Sequence, residues 1–66
     1  MARFLRHLGF ELIRQKGSHA YFRHSDGRAT VVPLHRGEDI GRGLLRAILR
    51  DIEITPEQFQ EIRKEI

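Results

Sequence analysis

The chain has no cysteine and no tryptophan, only two prolines, and no long apolar run. Without cysteine there is no disulfide and no thiolate zinc site, two of the usual staples of a small domain, and the absence suits a reducing compartment. No stretch approaches the ~20 apolar residues of a membrane span. The N-terminal residues also lack the apolar core of a signal peptide. We therefore expect a soluble, cytoplasmic protein with no membrane partner. Repeats and low-complexity segments are missing as well. Sixty-six residues leave room for one core, so residues 1–66 are expected to form a single domain. A chain of that size buries only about 60% of its unfolded surface, which leaves a thin stability margin.

What is present is charge, unevenly spread. Residues 1–50 carry ten Lys/Arg against Glu11, Asp26, Glu38 and Asp39, a balance of +6. Residues 51–66 carry Arg63 and Lys64 against five acids, a balance of −3. A basic body with an acidic tail points to a polyanion-facing surface and a separate C-terminal face. Ordinary solubility accounts for a net +3 equally well.

Periodicity predicts the elements in order. Phe4, Leu5 and Leu8 mark a short first helix with Arg3, Arg6 and His7 outward and Gly9 at its C-terminal cap. Phe10–Gln15 alternates as a strand, with Phe10 and Leu12 on one side and Glu11 and Ile13 on the other. Lys16-Gly17-Ser18 turns into a second strand, His19–His24, and Ser25-Asp26-Gly27-Arg28 is a hairpin turn into a third, Ala29–Leu34, ended by Pro33. Ile40, Leu44, Leu45, Ile48, Leu49 and Ile52 form the apolar stripe of the main helix, with Arg42, Arg46 and Arg50 along another side. Thr55-Pro56-Glu57-Gln58 is a helix start with N-cap, proline at N1 and a capping-box Gln, bracketed by Ile54 and Phe59 as a hydrophobic staple. The order α-β-β-β-α plus a terminal helix implies an α+β fold, a three-stranded antiparallel sheet with helices on one face. The other face is left open for a site or a partner.

Alternation on the second strand puts Ala20, Phe22 and His24 on one side and His19, Tyr21 and Arg23 on the other. If the helices cover Ala20 and Phe22, His19 lies on the open face beside a turn. An imidazole can take or give a proton at neutral pH. RNA phosphodiester cleavage needs such a group, together with cations for the charge on phosphorus. Lys16, Arg23, Arg28 and Arg42 are the candidate cations, Ser18 a phosphate ligand or ring orienter, and Tyr21 a stacking surface for an exposed base. Arg42 has the helix start in its favour, where backbone N–H groups attract anions. From the residues alone, a solitary histidine at a strand start is more often a surface or turn residue, and the arginine stripe reads at least as well as a solvated helix face. A metal site is not expected. His19 and His24 face opposite ways, and His35 approaching His19 across the sheet makes an incomplete ligand set.

Gly17-Ser18-His19, Phe22-x-His24-x-Asp26-Gly27-Arg28, Val32-Pro33-x-His35 and Gly43-x-Leu45-x-x-Ile48-Leu49 resemble the HicA toxins of bacterial and archaeal toxin–antitoxin pairs, over roughly residues 8–60. The resemblance implies a double-stranded-RNA-binding-like α-β-β-β-α fold and a ribosome-independent endoribonuclease acting on mRNA without a cofactor. It places the catalytic role on His19; for such an enzyme the expected RNA contacts are Lys16, Gly17, Ser18, Tyr21, Arg23, Arg28, His35 and Arg42. It further implies a HicB antitoxin that hides His19, with operator DNA reached only through that partner. The chain departs from the family pattern at Leu44, where threonine is usual, and at Glu38, where a basic residue is frequent. Two other readings remain: a non-catalytic RNA-binding module of the same fold, and an inactive toxin remnant that serves as a protein-interaction subunit.

Overall fold

The computed structural model describes residues 1–33 and 41–66. The expectations for His35 and for Ile40 lie outside the described residues. In chain order the elements are α1 (Ala2–His7), β1 (Glu11–Lys16), β2 (His19–Arg23), β3 (Ala29–Pro33), α2 (Arg42–Asp51) and α3 (Pro56–Arg63). The three strands form one antiparallel sheet in the order β1-β2-β3, so β2 is central and both neighbours are edges. This is the α+β layout that the periodicity implied.

One face of the sheet carries the core. Ala20, Phe22 and Val32 from the strands meet Phe4 and Leu5 of α1, Phe10, and Ile48, Leu49 and Ile52 at the end of α2, all buried. Each large side chain removed from water here contributes about 1.5–3 kcal/mol. That burial holds α1 in place, because its six residues fall far short of the ~12–15 a lone helix needs. Gly9 closes α1 at φ +96°, with its N–H donating to the Arg6 carbonyl. A Cβ at Gly9 would also stand 3.1 Å from His24 Nε2, so the position suits only glycine. Leu44 departs from the expected stripe and is exposed, because it lies at the stripe's edge on the first turn of α2. Leu45, Ile48, Leu49 and Ile52 remain packed on or in the core.

The capping box at α3 forms as its residues demand. Thr55 Oγ1 accepts from the Gln58 N–H at 3.1 Å, and Gln58 Oε1 accepts from the Thr55 N–H at 2.8 Å. Phe59 then meets Phe4 edge to face with centroids 4.8 Å apart, which ties α3 to α1.

His24 ends β2 rather than extending it. Its N–H donates to the Arg28 carbonyl at 2.8 Å and its carbonyl accepts from the Gly27 N–H, with Gly27 at φ +101°. Its ring packs edge to face on Phe10 on the core side. Inside the turn, Asp26 accepts from the Arg28 backbone N–H through Oδ1 at 3.0 Å and from Arg28 Nε through Oδ2 at 2.8 Å. The Arg28 backbone N–H, then its guanidinium, hold the Asp26 carboxyl below its ordinary value of 3.8. His24 Nδ1 lies 3.1 Å from both the Asp26 N–H and Asp26 Oδ1. It serves the first as an acceptor when unprotonated and the second as a donor when protonated.

A carboxyl whose pKa is depressed by folding stabilises the fold above its unfolded pKa, and that contribution disappears as pH falls through the folded value. The thermal midpoint of the protein should therefore exceed that of Asp26→Asn by a constant gap near neutral pH, and the gap should close below about pH 4. A gap independent of pH down to full protonation would show that the ionised carboxylate does not matter.

Candidate functional site

The other face of the sheet carries no helix among the described residues. His19 and Tyr21 on β2 and Val31 on β3 point there, exposed, while their neighbours Ala20, Phe22, Thr30 and Val32 are buried. That much follows from alternation. The contribution of β1 does not, because β1 breaks its own alternation.

Leu12 pairs with Phe22, yet Arg14, not Ile13, pairs with Tyr21. The extra residue is Ile13, 56% exposed, at a β-bulge. Beyond the bulge, Arg14 lies opposite Tyr21 and Lys16 opposite His19, so both cations fall on the open face. Strict alternation from Phe10 would have turned Arg14 and Lys16 towards the core. The signal was present in the sequence: an arginine cannot face an apolar core unpaired, so the pattern has to break before it.

Arg14, Lys16, His19, Tyr21 and Val31 together line a shallow concavity of about 340 Å³. Gly17 sits in the β1–β2 turn at φ +58°, and half-buried Ser18 leads directly into His19. Three of the expected residues, Lys16, His19 and Tyr21, are thus brought together, with Gly17 and Ser18 at the rim. Arg14 and Val31 join them without having been anticipated.

The remaining expected residues stand apart. Arg23 is on the same face but at the far end of β2, opposite Glu11. Arg28 is on the helix side. It is bonded to Asp26, its Nη1 donates to the Ile52 carbonyl at the end of α2, and its guanidinium lies 5.2 Å from the Phe10 ring centroid. Arg28 is therefore a fastener between the hairpin turn and α2. Arg42 opens α2 in the helix layer, exposed, after the N-cap Gly41.

The electrostatics of the concavity follow from what is paired elsewhere. The ion pairs among the described residues join Asp26 to His24 and Arg28, and Glu61 to Lys64. None of these neutralises Arg14 or Lys16. An imidazole, two cations without an ion-pair partner among the described residues and an exposed aromatic ring thus share one sheet face, an arrangement whose chemistry suits an anionic, ring-bearing ligand. Among the described residues no three His, Asp or Glu side chains converge as a metal site would need.

The family model described as HicA toxin of bacterial toxin-antitoxin matches residues 1–54. None of the curated proteins compared with the chain matches it. The matched span runs from α1 through the whole sheet and α2 to the residue before the α3 cap, and so contains every residue of the concavity. The chain belongs to the HicA toxin family of bacterial toxin–antitoxin systems.

Proposed function

We propose that this toxin is an endoribonuclease that cleaves mRNA without a metal, with His19 as its proton-transfer group, and that a HicB-type antitoxin silences it by covering that histidine. The observation that carries the reading is the company His19 keeps: Lys16 directly across the ladder, with Arg14, Tyr21 and Val31 in the same concavity. In the proposed reaction the His19 imidazole takes the proton from the attacking hydroxyl, the ribose 2′-OH or a water. That oxygen bonds phosphorus as the bond to the leaving oxygen breaks, and the leaving oxygen takes a proton back from the imidazolium. Lys16 offsets the charge that builds on the phosphoryl oxygens, Ser18 beside it bonds a phosphate oxygen, and Tyr21 stacks on the neighbouring base.

The same face serves the partner. A shallow, open, cationic concavity is accessible to a single covering surface, and an antitoxin that contacts Lys16 and His19 denies RNA both the cations and the base. Operator DNA is then reached only through the antitoxin.

The test is incubation of the purified toxin with a defined mRNA in excess chelator. Discrete cleavage that persists in chelator and stops on addition of the HicB-type partner is the expected result. RNA that is bound but intact after long incubation would leave a non-catalytic RNA-binding module. Neither binding nor cleavage, with the partner still held tightly, would leave an interaction subunit descended from a toxin.

A further inference from the structure

We propose that Arg14 is a substrate-binding residue of this site, delivered to it by the Ile13 bulge, and that it holds the RNA phosphate next to the one held by Lys16. The proposal rests on the endoribonuclease reading above. It extends that reading to a residue that the family motifs quoted above do not contain and that simple alternation assigns to the wrong face.

The geometry is specific. Past the bulge, Arg14 and Lys16 are two positions apart on one face of β1, about 7 Å along the strand. Across the ladder they oppose Tyr21 and His19 in the same order. Two cations thus run along one edge of the concavity, with a stacking ring and an imidazole beside them. A positively charged track beside an aromatic platform is how single-stranded nucleic acid is held, because an unpaired base offers its face to the ring while its phosphates follow the cations. A duplex, whose bases are stacked inside, presents no such face to Tyr21.

The other basic residues fit this role less well. Arg28 is occupied by Asp26 and the Ile52 carbonyl. Arg23 lies outside the concavity and faces Glu11. Arg42, Arg46 and Arg50 are on α2, in the helix layer. Arg14 and Lys16 alone among the described cations line the concavity. A competing role for Arg14 is protection of an exposed edge strand, where a charge discourages pairing with another chain. That role predicts a change in solubility and none in RNA affinity.

The test measures binding of an unstructured single-stranded RNA oligonucleotide to His19→Ala protein, which leaves the probe intact, across a salt series. In that background Arg14→Gln should weaken binding roughly fivefold at low salt. It should also flatten the dependence of log affinity on log salt by about 0.7, the increment for one phosphate contact to a single strand. Arg14→Lys should restore the slope. With His19 present, Arg14→Gln should raise KM more than it lowers kcat. Circular dichroism should show the same melting for all variants, since the Arg14 side chain is exposed. If the parent binds and cleaves RNA while Arg14→Gln leaves both affinity and slope unchanged, the Arg14 proposal fails and the enzyme reading stands. If the parent neither binds nor cleaves RNA, both fail together.

Discussion

His19→Ala is expected to leave a fully folded protein whose RNA cleavage is lower by a factor of about 10²–10⁴, the range over which a positioned acid–base group acts. In cells, induced wild-type toxin should arrest growth and degrade mRNA, and the variant should do neither. The structural reason for expecting a clean loss is that His19 is exposed at the first position of β2. Its Cα partners, Lys16 and Pro33, hold it through backbone pairing that alanine keeps. No side-chain hydrogen bond from His19 to another described residue supports the fold, so truncation removes chemistry and leaves packing intact. RNA affinity, carried by the cations and Tyr21, should survive in the variant. Retention of wild-type cleavage by folded His19→Ala would sink the catalytic assignment outright.

That site was partly legible in the sequence, and the part that was not has one physical origin. A side-chain period of two is robust within an uninterrupted strand, so Ala20 and Phe22 inward and His19, Tyr21 and Arg23 outward could be read directly. Glycines at Gly9, Gly17 and Gly27 marked the three turns, and all three adopt positive φ. Thr55 and Gln58 announced their capping box because both hydrogen bonds are local. The bulge at Ile13 is different. It is a property of how β1 sits against β2, and it arises because Phe10 must stay in the core while Arg14 must stay out. One inserted residue reconciles the two demands and changes the face of everything after it.

Arg28 shows the complementary failure. Its place beside the turn glycine made it look available to a ligand, yet a guanidinium has five donors and reaches far. Here it reaches back across the layer to the α2 carboxyl end, where the Ile52 carbonyl lacks a helical partner, and it lies over Phe10 on the way. Long-range satisfaction of a helix end leaves no mark in local sequence. Thr30 acts similarly: buried on β3, it donates through Oγ1 to Asp51 Oδ2 at 3.0 Å, so two separate bonds join the third strand and its turn to the end of α2.

Phe22→Ala is expected to unfold most of the molecule at 37 °C, and so to silence the toxin for a reason opposite to that of His19→Ala. Phe22 is 1% exposed on the core face of the central strand, with Leu12 and Thr30 on either side and the helix layer above. Truncating a buried Phe to Ala costs about 3–5 kcal/mol, through lost burial and the cavity left behind. A 66-residue domain at about 0.05–0.15 kcal/mol per residue has only roughly 3–10 kcal/mol in total. At about 4–8 °C per kcal/mol for a domain of this size, the melting midpoint should fall by at least ~12 °C. Val31→Ala, one residue inward on the neighbouring strand but on the open face, should stay within about 0.5 kcal/mol of the parent. Far-UV circular dichroism against temperature measures both. At low temperature, where Phe22→Ala still folds in part, activity per folded molecule should equal that of the parent, since Lys16, His19 and Tyr21 are unchanged and face the other way. A Phe22→Ala protein that melts within a few degrees of the parent would mean that β2 is not the strand on which the helix layer is built.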